Sequence, residues 1–219
     1  MHSKSSPECF RFDRGGLVPW SAVRDAPSEP VGNEIRSISI GWGTPTSCFV
    51  LGSGEVRCSG NNVMGETGVK PPPIRIHDPV PVAGIGPARQ VVTATRFSCA
   101  LLETGEVTCW GDPMITGGPL GMAYKVRELP GIAKMAAGPR HVCAITRSQE
   151  VYCWGSFPLP SGGYAGPSAA KIPLPSAAVD LAVGQSMTCV LMRDGTHRCW
   201  GMGAYCGGCA DGKGFEPKG

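Results

Sequence analysis

Apolar residues in this chain come in short runs, and nowhere do they follow the i, i+3, i+4 spacing of a long amphipathic helix. FSCALL, VTCW, HVCAI, VYCW and TCVLM are such runs, and turn-prone Gly, Pro, Asn or Asp lies between most of them. Runs as apolar as FSCALL predict strands covered on both faces by neighbouring sheets. The runs also pair at one spacing. Cys48 and Cys58, Cys99 and Cys109, Cys143 and Cys153, and Cys189 and Cys199 are each ten residues apart, and the pairs recur after 51, 44 and 46 residues. A period of that length predicts a repeated supersecondary unit, as in propellers, solenoids or arrays.

The spacing defines a hairpin, because the numbers of opposed residues in an antiparallel pair add to a constant. With Cys99 opposite Cys109, Leu101 faces Val107 and the loop is Glu103-Thr104-Gly105, with Gly at the position that wants a left-handed backbone. Gly54 and Gly195 fall at the same place, whereas Gln149 departs from it. Opposed residues at a non-hydrogen-bonded site bring their Cα atoms to roughly 4.5 Å, near the short end of what a disulfide accepts. All eight cysteines are therefore expected in cross-strand bridges, each worth on the order of 2–3 kcal/mol in the chain-entropy model. Structural zinc sites use more closely spaced cysteines followed by a second pair, so no metal is expected.

Aligning CFRFDRGGLVPWS on CALLETGEVTCWG sets Cys9 on Cys99, Gly15 on Gly105 and Trp20 on Trp110, with Pro19 where the second cysteine belongs. The chain thus reads as one repeat domain, 1–219, with hairpin units around 9–20 (partial), 48–58, 99–109, 143–153 and 189–199, and a Gly-rich tail over 202–219. Trp20, Trp110, Trp154 and Trp200 share one phase, and Ser59 replaces the Trp in the second copy. These rings are expected to pack against the next repeat. Within one unit, PVPVAGI, ARQVVTA, FSCALLE and GEVTCWG read as four successive strands. The stretches after the hairpins, Asp112–Met122, Ser156–Pro167 and Met202–Gly214, vary from copy to copy.

Composition agrees: 32 Gly, 21 Pro and 17% charged residues describe an all-β chain. Eleven cysteines point to an extracellular, periplasmic or other oxidising compartment. The opening MHSKSSPECFRFDRGG has no apolar core of signal-peptide length, and no segment has the apolar length of a membrane span. A net charge of +3, scattered along the chain, gives no nucleic-acid footprint. Cys9, Cys206 and Cys209 are left over, and a bridge from Cys9 to Cys206 or Cys209 would tie the two ends together. Cys206-Gly-Gly-Cys209 has redox spacing but no helix start or adjacent basic residue to lower a thiol pKa.

A Pro-Val-x-Val strand, a Gly-x-x-His-like turn, Cys-Ala and then Gly-x-Val-x-Cys-Trp-Gly resemble the regulator of chromosome condensation repeat in its cysteine-rich bacterial form. VPVAGI with FSCALLETGEVTCWG, and LPGIAKMAAGPRHVCAI with EVYCWG, carry the pattern, and Gly60-Asn61-Asn62 with Gly65 and Gly68 is similar to the family's Gly-x-Asn-x-x-Gly-x-x-Gly loop. The resemblance implies a β-propeller of seven blades, for which 219 residues supply four full units and one partial. The expected architecture is a propeller or open arc of about four complete four-stranded blades plus a partial N-terminal one. An arc would leave open edges for self-association.

The family ranges from nucleotide-exchange factors acting on a small GTPase, through inhibitors of β-lactamase, to surface proteins, so fold alone does not select a function. No phosphate loop, His-Glu-x-x-His helix or nucleophile elbow is present, and neither a catalytic residue nor a cofactor is expected. His2, His77, His141 and His197 occupy different contexts, and His141 holds the family's turn position, where Phe97 and Met187 stand in other copies. The expected function is a non-enzymatic protein-interaction or scaffold module of a secreted or surface protein, binding through rim loops, with Tyr124 and Tyr164 as aromatic anchors. The alternatives are a propeller-type inhibitor or enzyme with a cleft on one rim, a structural spacer or fragment of a larger seven-bladed propeller, and a nucleotide-exchange-factor-like regulator of a small GTPase.

Overall fold

The structure is a computed structural model that describes residues 10–13, 16–19, 35–41, 43, 46–160, 164–185 and 187–201. The chain divides into two units, Met1–Asn33 and Glu34–Gly219. The first holds one hairpin, β1 (Phe10–Asp13) and β2 (Gly16–Pro19). Phe10 faces Pro19 and Asp13 faces Gly16, which is one residue away from the register that sets Cys9 against Pro19. The two strands are joined by two residues rather than three, and a one-residue slip exchanges the faces of a strand. Cys9 and Trp20 lie outside the described residues.

The second unit is a succession of antiparallel blades. Blade 1 comprises β3 (Ile35–Ile40), β4 (Thr46–Leu51), β5 (Val56–Asn61) and β6 (Arg75–Pro81). Blade 2 comprises β7 (Ala88–Thr93), β8 (Phe97–Leu102), β9 (Val107–Gly111) and, after the helical turn α1 (Pro113–Thr116), β10 (Tyr124–Lys125). Blade 3 comprises β11 (Ile132–Ala137), β12 (His141–Thr146), β13 (Val151–Gly155) and, after a small hairpin of β14 (Phe157–Pro158) and β15 (Tyr164–Ala165), β16 (Ala170–Ile172). Blade 4 comprises, among the described residues, β17 (Ala178–Val183), β18 (Met187–Met192) and β19 (His197–Gly201). The fold is an all-β array of propeller blades.

One strand belongs elsewhere than expected. The Pro79-Val80-Pro81 segment closes the blade before it instead of opening the blade after it, with Val80 facing Cys58. As the outermost strand of blade 1, β6 has a free edge, where a proline without an N–H costs no ladder bond.

The hairpins follow from the turn chemistry. The Leu102 N–H donates to the Glu106 carbonyl and the Gly105 N–H to the Leu102 carbonyl, both at 2.9 Å, leaving residues 103–105 as the loop. Gly105 has φ +92, and Gln149 takes the same left-handed place at φ +67. The residue at this place also joins the blades: the carbonyls of Gly54, Gly105 and Gln149 accept the N–H of Ala88, Ile132 and Ala178, which begin the next blade, at 2.8–2.9 Å. Each first strand carries a bulge at its start, where the register skips Arg36, Arg89, Ala133 and Val179. A bulge at a fixed place adds the same twist to each blade.

First strands of consecutive blades run side by side, β3 against β7, β7 against β11 and β11 against β17. Three cores fill the junctions. Cys48, Cys58 and Val50 meet Val91 and Trp110. Cys99 and Cys109 meet Met135 and Trp154. Cys143 and Cys153 meet Leu181 and Trp200. The cysteine pairs of blades 1, 2 and 3 thus face the blade that follows, and Trp110, Trp154 and Trp200 face the blade that precedes, the opposite of the expected direction.

Candidate interaction site

The post-hairpin loops leave from the glycine of Cys-Trp-Gly. A Cβ on Gly111 would lie 2.5 Å from the Arg96 carbonyl oxygen, and one on Gly155 would lie 2.5 Å from that of Arg140. The strand therefore passes directly beneath the preceding turn, and only glycine permits it.

In blade 1 the loop is locked by buried polar groups. The Asn62 amide donates to the carbonyls of Val69 (3.0 Å) and Pro73 (2.7 Å), while its oxygen accepts from the Thr67 hydroxyl at 2.6 Å. Glu66, 1% exposed, accepts from the Asn61 amide and the Met64 N–H, both at 2.8 Å. Its own carbonyl accepts the indole N–H of Trp110 at 2.8 Å and the Ser98 hydroxyl at 3.0 Å, both from blade 2.

In blade 2 the loop opens with Asp112, whose carboxylate caps α1 through the Met114 N–H at 3.0 Å and pairs with Arg96 at 3.2 Å. Ile115 and Thr116 are buried. Past Gly117 the backbone turns under Tyr124, since a Cβ on Gly118 would come within 2.3 Å of the Tyr124 Cβ, and one on Gly117 within 3.1 Å of Pro167 in blade 3. Two variable loops thereby meet. Between them lies a groove of about 200 Å³ lined by Thr116, Tyr124, Arg127, Glu128, Pro167 and Ser168 among others. Tyr124 is half-buried, and the Arg127 guanidinium stands 6.0 Å from the centre of its ring.

In blade 3 the loop is anchored by Phe157, which stacks on His141 with ring centres 3.7 Å apart. The His141 Nε2 bonds the Thr188 hydroxyl of blade 4 at 2.8 Å. Burial pushes the imidazole down from 6.5 to about 4, so it is neutral at physiological pH. Exposed ion pairs add to these contacts: beside the outer strand of blade 3 the Lys171 ammonium holds the Glu150 carboxyl below its ordinary range, and between the first strands of blades 3 and 4 Lys134 does the same for Asp180.

The structure brings the sulfurs of Cys48 and Cys58, Cys99 and Cys109, Cys143 and Cys153, and Cys189 and Cys199 to 2.10–2.14 Å, with Cα atoms 4.0–4.1 Å apart. Cys206 and Cys209 lie outside the described residues. Tyr164 opens β15 opposite Pro158, in the loop that also supplies Pro167. Among the described residues no cluster of His, Cys, Asp and Glu is able to hold a metal ion, and no helix is long and apolar enough to cross a membrane. The Glu66 anchor, the His141–Thr188 bond and the Arg127, Glu128 and Ser168 wall of the groove were not expected from the sequence. The GNN segment pointed to the first, and nothing local marks the others.

Residues 132–157, spanning the first three strands of blade 3, match the family model of the regulator of chromosome condensation (RCC1) repeat. All four blades share that unit's hairpin and bulge, so the matched repeat is one of four similar units in a fold like that of the RCC1-type propellers. No curated protein matches it by sequence. Among solved structures it is similar to human WBSCR16, at 18% identity over 79% of this chain and 49% of that one, with a TM-score of 0.68. Prp20p from Saccharomyces cerevisiae is similar at 17% identity over 88% of this chain and 52% of that one, also with a TM-score of 0.68. The ectodomain of the receptor kinase CR4 from Physcomitrella patens is similar at 23% identity over 81% and 43%, with a TM-score of 0.55. The chain spans about half the length of these structures.

Proposed function

We propose that the chain is a non-enzymatic protein-binding module of a secreted or surface protein, which recognises its partner through the post-hairpin loops of blades 2 and 3. The groove at Tyr124 carries the reading. Gly117 and Gly118 from one variable loop and Pro167 from the next converge there, whereas the hairpin turns at the opposite end of the strands repeat a single design. A half-buried Tyr offers broad contact area at low entropic cost, and Arg127 and Glu128 supply a charged rim. Tyr164 is the second anchor, on the same blade 3 loop.

A protein partner is also supported by Prp20p, whose structure was described together with its binding properties to Gsp1p and histones. The cysteine pairs at bonding distance favour an oxidising compartment and weigh against a cytosolic or nuclear regulator of a small GTPase. The buried His141, engaged with Thr188 and Phe157, supports a structural rather than a catalytic role.

Affinity capture with the natively oxidised chain, repeated with Tyr124→Ala and Thr104→Ala, tests the proposal. Tyr124→Ala should weaken the captured partner by about tenfold or more, which corresponds to roughly 1.4 kcal/mol, at an unchanged melting temperature. Thr104→Ala should leave binding intact. An equal loss from Thr104→Ala would move the site to the hairpin end.

A further inference from the structure

The rim where the post-hairpin loops of blades 1 and 2 meet is apolar and basic at once. Residues 62–74 and 112–123 form these loops, and they cross glycine on glycine, since a Cβ on Gly65 would lie 2.2 Å from the Gly121 Cα. Met64 and Met122, each next in the chain to one of these glycines, therefore flank one crossing. The turns at 94–96 and 138–140 stand beside the loops: the Asp112 N–H donates to the Arg96 carbonyl at 3.0 Å, and the Thr95 N–H to the Pro139 carbonyl at 3.3 Å.

Every large apolar side chain that the described residues expose outside a strand lies in these two loops: Val63 (51% exposed), Ile74 (64%), Met114 (81%) and Met122 (54%). Bonds across the rim tie them together. The Arg96 Nη2 donates to the Met64 sulfur at 3.1 Å, and the Arg96 Nε pairs with Asp112, whose other carboxylate oxygen holds the Met114 N–H at 3.0 Å. Beside Val63, the Asn62 N–H donates to the Ile74 carbonyl at 2.8 Å. An exposed apolar cluster edged by charge marks an interaction surface, and the flexible thioether of methionine adapts to what it meets.

The charges of this rim sort by sign. Its two acidic residues are buried and engaged, Glu66 with Asn61 and Met64, and Asp112 with α1 and Arg96. Its basic residues, Lys70, Arg96 and Arg140, are all exposed. Arg96 is held by Asp112 and Met64 while its side chain stays 54% exposed, so little freedom remains for a partner to remove. Residues 1–33 and 202–219 each carry as many basic as acidic residues, so neither segment supplies the opposite charge. No Trp, Tyr or Phe lies in the rim segments, which distinguishes them from anchors that enter a membrane surface.

We propose that this rim docks an acidic segment of a protein partner, one that interleaves Asp or Glu with aliphatic or aromatic side chains. The apolar side chains of that segment lie against Val63, Met114 and Met122, and its carboxylates face Lys70, Arg96 and Arg140. Opposite charge steers the encounter and selects the partner, while the methionines supply adaptable contact. The surface is separate from the Tyr124 groove and does not rest on it.

Nuclear magnetic resonance of the full oxidised chain, labelled with carbon-13 at the methionine methyls, tests this. The probe is a short peptide of Asp, Glu, Leu and Phe, compared with one carrying Lys in place of the acids and one carrying Ser in place of Leu and Phe. The acidic, apolar peptide should shift the methyls of Met64, Met114 and Met122, less so as salt is raised. Met135 and Met192, 1% and 4% exposed, should not move and report that the fold is intact. Met114→Asp and Lys70→Glu, both at exposed positions, should each weaken the peptide by about fivefold or more. Tyr124→Ala should leave the shifts in place. Equal shifts from the Lys peptide would reduce the site to apolar contact, equal shifts from the Ser peptide would reduce it to charge alone, and equal shifts from phosphatidylserine vesicles would assign it to a membrane surface. Loss of the shifts in Tyr124→Ala would merge the site with the groove, and still methyls in the presence of the acidic, apolar peptide would show the rim closed to such a partner. Any of these results overturns the proposal.

Discussion

The indole N–H of Trp110 in blade 2 donates to the backbone carbonyl of Glu66 in blade 1, at 2.8 Å, so an aromatic of one repeat closes the polar loop of the repeat before it. Trp154, at the equivalent place in blade 3, is 0% exposed and its N–H has no partner among the described residues. The two residues fill equivalent apolar junctions but differ in hydrogen bonding. Trp110→Phe should therefore cost about 1 kcal/mol more than Trp154→Phe, because it removes a satisfied buried bond where the other removes an unsatisfied donor. For a chain of this size that is a difference of roughly 2–4 °C in melting temperature, measured by differential scanning calorimetry. Equal losses would mean that ring volume alone matters at this position.

The cysteine pairs should be bridged in natively prepared protein, and peptide mapping by mass spectrometry without reduction checks it. Recovery of Cys99 and Cys109 as free thiols defeats the expectation. Cys109→Ser should destabilise by about 2–5 kcal/mol, the usual cost of removing a native bridge, because it also leaves a polar group in a sealed junction. Cys199→Ser should cost less, since its pair is half-buried at the end of the array.

The hairpins were legible because the cysteines supply a phase: once Cys99 faces Cys109, the loop, the left-handed residue and the opposed pairs all follow. Burial of the tryptophans between repeats was legible too, but not its direction, which depends on how one twisted sheet stacks on the next. The bulges at Arg36, Arg89, Ala133 and Val179 carry no common side chain, so no residue type announced them. The Pro79-Val80-Pro81 strand was placed in the wrong blade because an edge strand lies in sequence between two units and its pattern fits either. The Tyr124 groove was half legible. Loop variability picked out the two loops, but their meeting at Gly117 and Pro167 is a tertiary fact.

His141 gives the fold a pH dependence of definite sign. Its pKa falls from 6.5 in the unfolded chain to about 4 in the folded one, so between these values the unfolded state binds more protons and stability rises with pH. The neutral form is fully favourable above pH 6.5, and lowering the pH to about 4 should remove about 3 kcal/mol. Asp180, with its pKa lowered by Lys134, acts in the same direction at lower pH, as its contribution is lost when the carboxylate protonates. Urea unfolding across this range measures the slope. His141→Phe, which reproduces the residue of blade 2, should flatten the curve above pH 4, and an unchanged slope would assign it to another group.

Gln149 occupies the left-handed position of its hairpin at φ +67, where the other three copies carry glycine. A side chain in that conformation costs about 1–2 kcal/mol, and the exposed bond from Arg193 to its side-chain oxygen returns little of it. Its carbonyl still accepts the Ala178 N–H at 2.9 Å, a bond that glycine would keep. Gln149→Gly should therefore stabilise the chain by up to about 1 kcal/mol, because the relief of backbone strain exceeds the added entropy of the unfolded glycine. The reverse change, Gly105→Ala, should destabilise by more than that, since at φ +92 its Cβ would also lie 3.1 Å from the Arg147 guanidinium. Thermal melts of the two variants should move in opposite directions. A Gln149→Gly chain that melts below wild type would mean that the Arg193 contact outweighs the strained backbone at the blade 3 to blade 4 junction.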